Sequence, residues 1–146
     1  ILESAQRLDG IVKDLNKIID IRNDIFKIRQ KISLEDELLL IQNVLKKELN
    51  PDQSIMDISI NACPHVYSVR PMVHSILYNL ISNALKYRAP ERKALVNVRA
   101  SQNDEYYILS VEDNGLGIDL ENHRDNLFKL YKRFHYHTEG KGIGLY

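Results

Sequence analysis

The sequence predicts an α+β fold, a two-layer sandwich in which helices cover one face of a mixed sheet. Three observations lead there. "ALVNVRAS" and "YYILSVED" alternate apolar and polar residues around "QNDE", which reads as an antiparallel hairpin. Other stretches carry apolar residues at helical spacing. Helices and strands alternate irregularly along the chain, which speaks for an antiparallel element inside the sheet.

Each element can be justified in turn. Residues 1–32 place Leu8, Ile11, Leu15, Ile18, Ile25 and Ile28 at spacings of three, four and seven, one narrow apolar stripe close to a heptad seam. Arg7, Asp9, Lys13, Asp14 and Lys17 fill the other faces. Such a helix either packs on its own domain or pairs with another helix. Ser33 interrupts the stripe, and "SLED" has the form of a capping box with Asp36 reaching back to Ser33. The helix it opens carries Leu38, Leu39, Ile41, Leu45 and Leu49 and stops before Asn50-Pro51. "IMDISIN" alternates as a strand, and "HVYSV" is a second, short one. A helix over residues 72–87 follows, then the polar turn "RAPERK", the hairpin, and a polar helical stretch around "NHRDNLFKLYKRF".

Composition removes several classes. Twenty Lys and Arg balance twenty Asp and Glu, so no dominant surface for nucleic acid or an anionic membrane is expected. The chain has no run of 18 apolar residues and no basic-then-apolar leader, so no membrane contact is expected in it. The single cysteine, Cys63, excludes a disulfide framework and suits a reducing, cytoplasmic setting; in "NACPHV" it reads as a small buried hydrophobe. Hydrophobic residues make up 44%, ample for a core without staples. "ILESAQRL" and "GIGLY" both look like cut ends.

Four stretches suggest chemistry. In "NLISNALKY", Asn79, Asn83, Lys86 and Tyr87 share one face of a helix, while Ile76, Leu77, Leu80, Ile81, Ala84 and Leu85 form its packing face. Asn is a poor helix former, but its neutral oxygen can ligate a hard cation and a nearby lysine can neutralise phosphate. A merely solvated face is the alternative. "DNGLGID", Asp113 to Asp119, directly follows a strand; it is either a plain turn or a place where glycine lets backbone approach a ligand. In "LFKLYKRFHYH", Phe128, Tyr131 and Phe134 alternate with Lys129, Lys132 and Arg133, as in an amphipathic helix. His135 and His137 form an H-x-H pair better read as exposed residues than as metal ligands. "GKGIGLY" is a flexible linker or a phosphate-cradling tract opening into a helix; its spacing is neither a Walker loop nor a dinucleotide fingerprint.

Taken together and in this order, the four stretches resemble the asparagine box, first glycine box, phenylalanine box and second glycine box of the ATP-binding catalytic domain of sensor histidine kinases, in the GHKL ATPase superfamily. "ILESAQRLDGIVKDLNKIIDIR" is similar to the second half of that family's dimerisation and histidine-phosphotransfer hairpin. The resemblance implies a dimerisation segment over 1–32 and an ATP-binding catalytic domain over 33–146, ending after the second glycine box.

By that resemblance Asn83 would ligate magnesium, and Asn79 would contact the metal or the phosphates. Lys86 and Tyr87 would approach phosphates and sugar. Asp113 would be a buried acceptor for the adenine amino group, and Gly115, Gly117 and Ile118 would let the backbone close over the base. Phe128, Tyr131 and Arg133 would belong to a lid. Lys141, Gly142, Ile143, Gly144 and Leu145 would wrap the polyphosphate, with Lys141 standing where threonine or serine is common. The catalytic group would be Asn79, Asn83 and Lys86.

The implied activity is transfer of the ATP γ-phosphoryl group to a histidine, with ATP and magnesium as cofactors. The implied partners are a second copy through the N-terminal helix and a response regulator receiver domain. None of His65, His74, His123, His135 or His137 precedes an acid on the dimerisation helix, so the acceptor is expected upstream of Ile1 and the family's last helix and strands beyond Tyr146. A cytoplasmic location is implied, with the full-length protein free to carry a membrane anchor. The alternatives are a GHKL ATPase of the chaperone, topoisomerase or mismatch-repair kind, and a non-catalytic interaction module of the same fold.

Overall fold

The structure, a computed structural model, describes residues 28–126, 128 and 129, together with Val12 and Asn16, which are helical. The stripe residues Leu8, Ile11, Leu15, Ile18 and Ile25 lie outside the described residues. Ile28, the last of the stripe, is exposed.

The order of elements is β1 (Gln30–Ser33), α1 (Leu34–Val44), β2 (Ser54–Ser59), β3 (His65–Ser68), α2 (Arg70–Lys86), β4 (Ala94–Gln102), β5 (Tyr107–Asp113) and the short α3 (Leu120–His123), which runs into a 3-10 turn at Arg124–Asn126. β1 was not expected. It pairs antiparallel with β3, with Ile32 opposite Val66, and both residues are buried. Through this pairing β1, Gln30–Ser33, spans residues on both sides of the step from position 32 to 33.

Ser33 ends β1 and caps α1, its Oγ accepting from the Asp36 N–H at 3.2 Å. The reciprocal bond from Asp36 is not formed among the described residues. α1 sends Leu34, Leu38 and Ile41 inward and stops at Val44, earlier than expected; a turn carries Leu45 into the core.

The larger sheet has the order β2-β4-β5, with β2 parallel to β4 and β4 antiparallel to β5. It is the mixed sheet the pattern predicts. Ala94, Val96, Val98 and Ala100 of β4 are buried, while Leu95, Arg99 and Ser101 face the other way. Asn103 makes the hairpin turn, its Oδ1 accepting from the Glu105 and Tyr106 N–H groups. Cys63 is buried, as expected of a small hydrophobe.

α2 begins two residues earlier than expected, at Arg70, with Pro71 in its first turn, where a missing N–H costs nothing. Val73, Leu77, Ile81, Ala84 and Leu85 face the core. Ile76 does not belong with them. It is 48% exposed, because its angular position falls beside Asn83, at the edge of the packing stripe. No helix among the described residues is long and apolar enough to cross a membrane.

Ile41 is fully buried in the cluster that joins α1, α2 and the sheets. Ile41→Ala should lower stability by about 2–5 kcal/mol, read from denaturant unfolding monitored by circular dichroism.

Candidate functional site

The described part of the site is built where the C-terminal end of α2 meets the loop after β5. The Tyr87 N–H closes the helix by donating to the Asn83 carbonyl at 2.9 Å. The Tyr87 carbonyl, at the helix end, accepts from the Leu116 N–H at 2.9 Å. Asn83 and Asp113 are thus carried on two elements that touch.

Each glycine of the loop answers a different demand. A Cβ on Gly115 would stand 2.5 Å from the Tyr87 carbonyl oxygen and 2.8 Å from Asp113 Oδ1, so only glycine lets the loop sit against the helix end. Gly117 has φ +70° with open space around it; its requirement is conformational. Here, then, Gly115 closes over a helix terminus.

Two residues that the sequence reading passed over hold this loop. Arg92, from the turn read only as polar, donates from Nε to the Asn114 carbonyl (2.9 Å) and from its terminal nitrogen to the Gly115 carbonyl (3.2 Å). Asn114 accepts from the Leu95 N–H (2.8 Å) and donates to the Lys93 carbonyl (3.0 Å), tying the loop to the start of β4. The one available signal was an arginine and an asparagine flanking the same β4–β5 hairpin.

Asp113 is exposed, not the buried acceptor expected, because it ends β5 beside an open loop. Its Oδ1 accepts from the Gly115 N–H at 2.8 Å, which leaves Oδ2 without a protein partner among the described residues. On α2, Asn79 and Asn83 are half-buried. Asn79 Nδ2 donates to Ser75 Oγ at 3.3 Å, leaving its Oδ1 open, and the Asn83 amide has no hydrogen-bond partner among the described residues. Lys86 is exposed at the end of the same helix. Its ammonium lies 5.1 Å from the centre of the Tyr87 ring, and it lines a groove of about 360 Å³ between the turn after α1 and the C-terminal end of α2 with Glu48, Tyr78, Ser82 and Arg88. Ile118 is at the margin of the loop, and Phe128 is exposed. Tyr131, Arg133, Lys141, Gly142, Ile143, Gly144 and Leu145, and the pair His135 and His137, lie outside the described residues.

The family of this arrangement follows from comparison. Residues 68–146 match the model of the histidine kinase-, DNA gyrase B-, and HSP90-like ATPase family. The chain belongs to that family. This ATPase-family domain includes α2, the hairpin and the loop just described. The chain is 26% identical over its whole length to the histidine protein kinase SaeS of Staphylococcus epidermidis, of which it spans 43%. It is 29% identical over 85 residues to the sensor protein RprX of Bacteroides fragilis, covering 56% of this chain and 16% of RprX. The chain thus spans less than half of either relative. A solved structure of full-length ShkA in complex with AMPPNP superposes with TM-score 0.73 at 20% identity, over 98% of this chain and 30% of that one, which shows the shared fold.

Asp119, the last residue of "DNGLGID", caps α3. Its Oδ1 accepts from the Glu121 and Asn122 N–H groups and its Oδ2 from the Asn122 amide at 2.6 Å. The Asn122 side chain first, and its N–H next, hold the Asp119 carboxyl below the ordinary 3.8. A depressed folded value means the contribution is complete above that ordinary value and is lost as pH falls through the folded one. Amide protection at Glu121 and Asn122 should therefore decline on acidification below 3.8, and Asp119→Ala should flatten that dependence. Gly115→Ala should cost about 1–3 kcal/mol and expose the Leu116 amide, as read by hydrogen exchange.

Proposed function

We propose that this chain is the ATP-binding catalytic region of a sensor histidine kinase. It would bring the γ-phosphoryl group of ATP to a histidine outside these residues, for relay to a response regulator receiver domain, and act as a homodimer through residues 1–32. The observation that carries this reading is the junction of α2 with the β5 loop. It sets amide oxygens on one element and a carboxylate oxygen on the other that have no protein partner among the described residues.

The residues fit a magnesium-bound nucleotide. The Asn83 amide is half-buried and lacks a protein partner among the described residues, which suits an oxygen donor awaiting a hard cation. Magnesium, when bound, would neutralise phosphate charge. Asn79 would contribute its open Oδ1 beside Asn83. Asp113 Oδ2, with Oδ1 held by Gly115, would accept from an exocyclic amino group of the base. Guanine presents a carbonyl at that place and has no proton to give. Because Asp113 is exposed, that discrimination would develop only once the base covers it. Lys86 would have to leave the Tyr87 ring to reach a phosphate. Phosphoryl transfer needs positioning and charge neutralisation above all, and these residues offer both.

The ATPase alternative asks for an acid on the same helix to activate water. Arg70–Lys86 contains no glutamate or aspartate, which favours transfer to a side chain. Incubating the full-length protein with γ-labelled ATP and magnesium should yield acid-labile phosphohistidine. Inorganic phosphate alone would instead support the ATPase reading, and no magnesium-dependent binding of an ATP analogue would support the non-catalytic one. Asp113→Asn should weaken adenine nucleotide binding by about 1–3 kcal/mol in calorimetry. Asn83→Ala should abolish magnesium-dependent turnover while the circular dichroism spectrum stays that of the parent.

A further inference from the structure

Glu37 is the one buried charged side chain among the described residues, 2% exposed on α1. Both its oxygens are used by α2. Arg70 Nε donates to Oε1, and His74 Nδ1 lies 2.9 Å from Oε2. The His74 ring stacks on Tyr78, with centroids 6.4 Å apart and planes at 11°. Arg70, His74 and Tyr78 are four residues apart, so they form one stripe along the α1 side of α2. The amide-bearing stripe, Asn79 and Asn83, lies on the far side of the same helix, so a roll of α2 moves both stripes together.

Two features set this tie apart from ordinary packing. Val69, which precedes α2, offers no side-chain cap and the first turn carries no acid, so Glu37 is the carboxylate brought to that end. Burying a carboxylate costs several kcal/mol, and an apolar pair of equal volume serves stability at least as well. What charge-assisted hydrogen bonds add is direction. The apolar face of α2 fixes its distance from the sheet, and a directional contact adds to what packing does against rolling. Side-chain tips lie roughly 5–6 Å from a helix axis, so a roll of about 10° moves them by ~1 Å. A misplacement of that size can cost about a hundredfold in rate.

We propose, resting on the kinase reading above, that Glu37 is a positioning residue: through Arg70 and His74 it sets the rotation of α2 and so aims Asn79 and Asn83 at the phosphates. The base contact depends on it less, because Asp113 sits on β5 and Arg92 and Asn114 hold its loop from the β4 side; the remaining tie, to the Tyr87 carbonyl, is backbone close to the α2 axis, where a roll moves atoms least. The two functions should therefore separate.

The test uses the full-length protein, measuring γ-phosphoryl turnover at saturating magnesium, KM for ATP, and the thermal midpoint. Glu37→Gln keeps the volume and removes the charge; His74→Ala removes one arm from a side chain that is 39% exposed, so it remains informative where Glu37→Gln does not fold. Both should lower kcat about 10- to 100-fold with KM within about threefold of the parent. His74→Gln, which restores a donor toward Glu37, should recover most of the rate. Ile41→Ala, one turn on along α1 and facing the core, should lower the midpoint and leave kcat at permissive temperature unchanged. Unaltered kcat in His74→Ala, or equal rate losses in Ile41→Ala, would overturn the proposal. Absence of both nucleotide binding and turnover in the parent would overturn the kinase reading and this inference together, whereas an active parent with unaffected His74→Ala overturns this inference alone.

Discussion

One backbone hydrogen bond organises the described site: the Leu116 N–H to the Tyr87 carbonyl. A helix end exposes carbonyls that need partners, and a loop leaving a strand exposes N–H groups that need the same. Meeting both needs with one contact joins α2 to β5 without a side chain between them. Gly115 makes the approach sterically possible, and Arg92 and Asn114 hold the loop from the other side. The half-buried amides of α2 and the carboxylate of Asp113 are brought to adjoining elements as a result. The site is thus mostly a property of backbone geometry, with few side chains left over for ligands.

The same division runs through the fold. Apolar burial sets how far the helices stand from the sheet, through Ile41, Leu77, Ile81, Val96 and Val98, all of them essentially inaccessible. Directional contacts then set angles. Ser33 caps α1, Glu37 ties α1 to α2, and Asn114 ties the loop to β4. The first kind of contact is tolerant of exchange among hydrophobes, and the second is not.

What could be read from the sequence followed the range of the forces involved. The β4–β5 hairpin was legible because alternation and a tight turn are local, and its buried and exposed residues fall where the period of two puts them. The Ser33 cap was legible for the same reason. β1 was not: four residues with one buried side chain, Ile32, become a strand only by pairing with residues 65–68, far along the chain. Ile76 was misplaced because a coarse division of a helix into two faces ignores its flanks. Glu37 looked like one more acid in an acidic first turn, and its partners are more than thirty residues away. Arg92 and Asn114 looked like turn residues because their partners are backbone carbonyls and amides, which carry no side-chain signature. The asparagines stood out in the sequence because helix propensity disfavours them, whereas Asp113, which a plain turn would also explain, stood out only beside the other motifs.

The Asn114–Gly115 pair is also a place where a protein ages. Asparagine followed by glycine readily cyclises through the next backbone nitrogen and hydrolyses to aspartate. Here the Asn114 amide is held at both atoms, its oxygen by the Leu95 N–H and its nitrogen by the Lys93 carbonyl, which restrains the rotation that cyclisation requires. Should the amide nonetheless be lost, a carboxylate oxygen would face the Lys93 carbonyl where a donor stood. The clamp that shapes the loop therefore doubles as its chemical preservative, and the lifetime of the loop is bound to the integrity of β4.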